Sequence, residues 1–253
     1  MRDQTFHTPL PLELEVAIPS GDIELETADG EETRVVVDGD DRLLDEVEIR
    51  QDGTRVVVAY RGKGKFGFSI QPFSLVFGAS RLRVRATVPH GAAARIKTVS
   101  GATSVRGRVG SLDMNAVSGD VRLRGEIAGD LTLKTVSGDA DVDRVGGQMS
   151  AQTVSGDVRI GSVGGEVTAK SVSGDIRIEG VTAGDVRLTS VSGDVEIGIA
   201  PGSLVDVDAG STSGELSSEV PLASEPVAGE ADGPTVVVRG RTISGDFRIF
   251  RAA

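Results

Sequence analysis

Apolar and polar residues alternate along most of this chain. Val158 and Ile160 flank Arg159, and Val167 and Ala169 flank Thr168. A period of two puts successive side chains on opposite faces of extended backbone, so the pattern predicts strands rather than helices. Glycine punctuates the strands at a steady interval. Gly101, Gly110, Gly119, Gly129, Gly138, Gly147, Gly156, Gly165, Gly174, Gly184, Gly193, Gly202 and Gly214 form one series, in which nine of the twelve intervals are nine residues. Two residues before the glycine an aliphatic residue recurs, through Ile127, Val136, Val145, Val154, Val163 and Val172. Self-similarity at a fixed period marks a repeat architecture.

Alternate units differ. One reads V-S-G-D-V-R-I, at Val154–Ile160, and the next reads V-G-G-E-V-T-A, at Val163–Ala169. The full period is therefore about 18 residues, built from two halves, each a short strand and a glycine-centred turn. The predicted fold is all-β: a parallel β-solenoid whose neighbouring coils pair at about 4.8 Å. Val121, Ala140, Val158, Ile176 and Val195 form one inward column, and Leu123, Val142, Ile160, Ile178 and Ile197 form the next. Arg122, Asp141, Arg159, Arg177 and Glu196 between them face water. A nine-residue half favours a flattened coil of two sheets over a triangular one, because a six-residue step from Ile160 lands on Glu166.

Outside the regular block the same phrase recurs at Pro19–Leu25 and at Ile243–Ile249. Between Gly21 and Gly101 the interval is lost, although alternating strands continue. The expected organisation is one continuous unit. Residues 1–96 form a β-rich cap, 97–218 the regular solenoid, 219–234 an exposed loop and 235–253 a final coil. A cap is expected because an open sheet edge invites association.

The phrase T-x-x-P-L-x-L-E-V-x-I-P-S-G-D-I, the V-S-G-D-V repeats and the closing R-T-I-S-G-D-F-R-I resemble a bacterial "putative-adhesin" family of unknown function, over Thr8 to about Arg251. The resemblance implies a β-repeat fold and surface exposure. It implies no catalytic residues.

Composition narrows the classes. The 253 residues include no Cys or Trp, two His and one Tyr, with a formal charge of −11. Zero Cys removes disulfides, zinc–thiolate sites and thiol catalysis. Strong acidity argues against a general nucleic-acid binder, which needs a basic face. No apolar run is long enough for a transmembrane helix, and neither a signal peptide nor an anchor signal is seen. The expected location is cytoplasmic.

Two features could carry chemistry. Asp120, Asp139, Asp157, Asp175 and Asp194 follow the turn glycine in successive coils, with Glu215 extending the column and Ala102 interrupting it. Carboxylates stacked at that spacing repel by about 1 kcal/mol even in bulk water. One reading makes each Asp a cap that accepts backbone N–H groups of its own turn. The other makes the column a row of Ca²⁺ sites, but the G-G-x-G-x-D pattern of calcium β-rolls is absent. The Ser118, Ser137, Ser155, Ser173 and Ser192 column reads as turn hydroxyls. The second feature is the segment with Phe66, Phe68, Phe73 and Phe77 beside Lys63 and Lys65. It reads as a hairpin packed on the rod end, or as an aromatic and basic tip for a partner or an anionic membrane. Its G-x-G-x-x-G match has no helix to receive a pyrophosphate.

His7 and His90 read as surface residues, and no nucleophile elbow occurs. A regular one-per-coil ladder lacks the unlike, converging carboxylates of a polysaccharide-cleaving β-helix. No catalytic, cofactor or metal site is expected. The expected function is a non-enzymatic scaffold presenting a surface to a protein partner. The alternatives are a self-assembling, bactofilin-like structural protein and a cation-binding or polysaccharide-active solenoid.

Overall fold

The computed structural model describes residues 1–61, 82–220 and 233–252. Its strands stack into two parallel sheets, A and B, that face one another across a filled interior. Each coil of the regular block contributes one strand to each sheet. In sheet B, Leu131–Lys134 pairs with Met149–Gln152, and that strand with Val167–Ser173. In sheet A, Ala140–Val145 pairs with Val158–Val163, and that strand with Ile176–Val181. The coil is therefore the flattened, two-sided one.

The register is in phase, so like residues stack. Val121, Ala140, Val158, Ile176 and Val195 are consecutive partners in sheet A, as are Leu123, Val142, Ile160, Ile178 and Ile197. Sheet B answers with Leu131, Met149, Val167, Val186 and Val238. All of these side chains are buried. At about 1.5–3 kcal/mol for each large aliphatic side chain taken from water, these columns are the main source of stability.

The chain passes from sheet B to sheet A through the V-S-G-D corner. Gly156 shows why glycine sits there: its φ is 137°, and a Cβ would lie 2.4 Å from the Gly138 carbonyl oxygen of the coil below. Backbone stacks directly on backbone, and no side chain fits.

Order in space departs from order in sequence at both ends. The last coil in the sequence is not the last coil of the rod. Thr235–Ser244 lies between Gly184–Ser192 and Leu204–Ser213, while Phe247–Arg251 lies between Val195–Ile199 and Leu216–Ser218. Residues 204–218 thus form the outermost coil among the described residues, and the returning chain slides in beneath it. Along the acidic column Asp246 consequently stands between Asp194 and Glu215. The opposite end repeats the device. The first half of Glu13–Ala28 lies in sheet B between Arg55–Tyr60 and Ala93–Ser100. Its second half lies in sheet A between Leu82–Pro89 and Thr103–Val109. The stack ends there in antiparallel strands. Glu32–Asp38 and then Arg2–His7 extend sheet A, and Val47–Asp52 extends sheet B. A short helix, Asp41–Glu46, buries Leu44 against this end.

Candidate functional site

The corner that carries V-S-G-D also carries the most unusual surface. Approaching it along sheet B, Lys134 points out, Thr135 is buried, Val136 is exposed, and Ser137, Gly138 and Asp139 turn the chain. Because the coils are in phase, each of these positions becomes a column running along the rod.

The acidic column is wired differently from the sequence expectation. Each aspartate serves the next coil's turn and not its own. The Asp139 Oδ1 accepts the Asp157 N–H at 3.0 Å, Asp157 that of Asp175 at 3.1 Å, and Asp175 that of Asp194 at 2.9 Å. Asp194 then accepts from Asp246 at 2.8 Å, and Asp246 from Glu215 at 2.9 Å. The physical reason lies in the column of corner glycines. The positive φ of each glycine directs the following aspartate's N–H along the rod axis toward the coil below, where the stacked carboxylate accepts it. Arg122 and Arg159 pair with the free oxygens of Asp120 and Asp157 at 3.1 and 3.0 Å, which offsets part of the repulsion. One oxygen of each of these aspartates is thus committed to backbone. No group of three or more His, Asp or Glu residues arranged to hold a metal ion occurs among the described residues.

The serine column is longer than the five residues read from sequence. Ser20, Ser100, Ser118, Ser137, Ser155, Ser173, Ser192, Ser244 and Ser213 are successive partners. Beside it runs an aliphatic ridge: Val117, Val136, Val154, Val172, Val191 and Ile243, each between 42% and 55% exposed. The interior valines, by contrast, are essentially inaccessible. The sequence showed these residues as part of the nine-residue interval. Their parity was the missed signal, because Val136 lies an even step from outward-facing Lys134 and an odd step from buried Leu133.

A third column completes the edge. Lys97, Asn115, Lys134, Gln152, Lys170, Thr189 and Arg241 are successive partners in sheet B. Cations therefore alternate with neutral residues, one every second coil. Lys97 faces Glu15 at 3.9 Å and Arg241 pairs with Asp208 at 2.8 Å. Lys134 and Lys170 have no acidic partner within ion-pair distance among the described residues. A groove of about 290 Å³ runs between this column and the ridge, lined by both lysines, Gln152, Val154 and Val172 over a floor of Thr135, Thr153 and Ser171. The floor's backbone is already spent: the Thr135 N–H donates to Gln152 O and the Thr153 N–H to Lys170 O, both at 2.9 Å.

Two other constellations have catalytic residue types without catalytic geometry. On the outer face of sheet A, Arg124 grips Asp141 at 2.5 Å and Asp143 at 2.7 Å. The hydrogen bond from Arg124 holds the Asp141 carboxyl below its ordinary range. A glycosidase acid needs the opposite shift. At the turn beside Gly91, His90 Nδ1 lies 2.6 Å from the Thr27 hydroxyl, and His90 Nε2 lies 3.6 Å from Asp29. The Thr27 oxygen also accepts the Arg108 N–H at 2.9 Å, and Asp29 is fully solvated. The contact braces a turn. The predicted tip of Lys63, Lys65, Phe66, Phe68, Phe73 and Phe77 lies outside the described residues. Among the described residues no helix is long and apolar enough to cross a membrane.

Comparison with known proteins bears out the fold. The chain is similar to a crystal structure described as a putative adhesin from Bacteroides fragilis, at 12% identity and a TM-score of 0.55, over 98% of this chain and 96% of that one. A putative adhesin and a putative lipid binding protein, both from Parabacteroides distasonis, align over 98% and 100% of this chain and 96% of each of theirs. They do so at 13% and 14% identity, with a TM-score of 0.35 for each. No curated protein matches. The Toastrack DUF4097 family model matches residues 12–249, nearly the whole repeat and both inserted coils, and the chain belongs to that family.

Proposed function

We propose that this protein is a non-enzymatic solenoid scaffold whose V-S-G-D corner presents a contact surface to a protein partner. The observation that carries the reading is the continuous aliphatic ridge from Val117 to Ile243, left half-exposed on a rod whose interior is otherwise filled. Turn chemistry requires the glycine at this corner, but nothing in the turn requires a valine facing water. Six half-exposed aliphatic side chains stand in one column here, and large contiguous apolar patches on a protein surface mark interaction sites. The Bacteroides fragilis structure sharing this fold is described as a putative adhesin, and a contact role for this chain is in keeping with that description.

Site-specific photo-crosslinking tests it. A benzophenone side chain at Val154 should give a discrete higher-mass adduct with a protein other than this chain in the protein's own host. The same group at Arg159, on the outer face of sheet A, should not. Equal labelling at the two positions, or none at Val154, would refute the reading.

A further inference from the structure

The groove beside the ridge specifies more than a generic surface. Resting on the reading above, we infer that it binds a polyproline II peptide carrying a carboxylate at every third residue, laid along the rod axis. Three observations point there. The first is spacing. Successive coils lie about 4.8 Å apart, so cations at every second coil repeat at about 9.6 Å. A polyproline II helix has three residues per turn at a 3.1 Å rise, which returns the same face about every 9.3 Å. A fully extended strand repeats its face at about 6.8 Å and falls out of step with the lysines at once.

The second observation is the floor. The Thr135 and Thr153 N–H groups are consumed by coil-to-coil hydrogen bonds, so a ligand that must add a strand finds neither of these backbone donors free. Polyproline II has no internal hydrogen bonds and keeps its backbone in water. It asks the groove only for apolar contact on one side and charge on the other. Val154 and Val172 supply the first, and Lys134 and Lys170 the second.

The third observation is charge. In a chain of net charge −11, the two lysines lining this groove are without acidic partners among the described residues, while their column neighbours Lys97 and Arg241 are paired. The aspartate column lies across the ridge with one oxygen of each carboxylate committed to backbone. At physiological ionic strength charges are screened over about 8 Å, so the nearest lysines dominate what a peptide in the groove meets. The ladder from Lys97 to Arg241 spans three such periods and would seat about nine or ten residues at that rise.

The experiment is calorimetric titration of the full chain with three synthetic dodecapeptides: four Glu-Pro-Pro repeats, six Glu-Pro repeats and four Lys-Pro-Pro repeats. The first should bind. The second carries more negative charge at the wrong spacing and should bind at least fivefold more weakly, and the third should not bind. The double variant Lys134→Ala/Lys170→Ala should weaken the first by tenfold or more. Val154→Ser/Val172→Ser should weaken it as well, with far-UV circular dichroism unchanged, since all four side chains are at the surface. Equal affinity for the two acidic peptides would reduce the site to unspecific attraction and overturn the inference. So would no binding at all. If no peptide binds but the Val154 crosslinker still captures a foreign protein, the inference fails and the scaffold reading survives. If it captures only a second copy of this chain, the ridge is a self-association surface and both fail.

Discussion

Replacing Gly156 by Ala tests the corner on which every surface column depends. Two costs add. An alanine at φ 137° occupies a region used almost only by glycine, worth about 1–3 kcal/mol. Its Cβ would also lie 2.4 Å from the Gly138 oxygen and 2.9 Å from the Gly138 carbon. Both atoms belong to backbone held in a ladder, so relief requires the coils to part, at about 1–3 kcal/mol for overpacking. The total is about 2–6 kcal/mol. Two controls separate the terms. Gly53 has φ 60° with nothing within 4 Å of an added methyl, so Gly53→Ala carries only the backbone cost of about 1–2 kcal/mol. Gly210 has neither a positive φ nor a neighbour, and Gly210→Ala should stabilise by about 0.4–1 kcal/mol through the unfolded chain. Urea unfolding followed by circular dichroism, read as midpoint shifts at constant slope, should rank Gly210→Ala above wild type, then Gly53→Ala, then Gly156→Ala. If Gly156→Ala unfolds no earlier than Gly53→Ala, the coils are not in backbone contact at the corner, and the in-phase columns fall with it.

Further expectations follow from single contacts. Asp157→Ala removes the acceptor of the Asp175 N–H and should cost about 1 kcal/mol, the low end for such a bond because the side chain is one-third exposed. Asp157→Asn keeps an acceptor and relieves repulsion along the column, so it should stay within about 0.5 kcal/mol of wild type; equal losses in urea unfolding would refute the backbone role. The Thr153 hydroxyl is buried without a hydrogen-bond partner among the described residues. Thr153→Val should therefore be neutral or stabilising by up to about 1 kcal/mol, and a clear loss of thermal stability would mean the hydroxyl has a partner. Tyr60 hydrogen-bonds Glu46, which together with burial pushes its phenol up to about 12. Being raised above the unfolded value, it contributes stability below about pH 10 that is lost as pH rises through about 12. With one Tyr and no Trp in the chain, ultraviolet titration reads this group alone. Glu46→Gln should bring the midpoint down, and an unchanged midpoint would rule Glu46 out as the cause.

The solenoid was legible because its signal is periodic. Alternation set the strand, the glycine interval set the coil, and stacking turned Val158 and Ile160 into members of columns. What the sequence hid was order along the rod. Nothing in Thr235–Ser244 says that it docks beneath Leu204–Ser213, because a repeat coil carries nearly the same faces wherever it stacks, and only a long connection such as 219–234 permits the exchange. The aspartate ladder hid for a related reason. A turn residue can cap its own backbone or its neighbour's, and the choice depends on which way the glycine beside it points the N–H. The ridge was visible in principle through the parity of Val136 relative to Lys134. Valine is usually an interior residue, so residue type and parity point opposite ways at this position.

The inserted coils bear directly on end-to-end assembly. A solenoid polymerises when each end offers unpaired parallel strands to the next copy. At one end of this rod the outermost strands among the described residues are Arg2–His7 in sheet A and Val47–Asp52 in sheet B, each running antiparallel to its neighbour. A parallel coil from another copy does not match that edge, and the edge carries Asp3, Glu48, Arg50 and Asp52 as further obstacles. At the other end, Leu204–Ser213 is the outermost described strand of sheet B and bears Asp206 and Asp208. Because the chain continues from this coil into the one beneath it, the outer coil is held at both of its ends and frays less readily than a free terminus. Antiparallel edge strands at one end, and charged strands anchored on both sides at the other, turn attention to the long sides of the rod. Of these, the V-S-G-D edge is where apolar area, unpaired cations and a groove coincide among the described residues. The contact surface proposed along the side and the guarded ends thus draw on one topology.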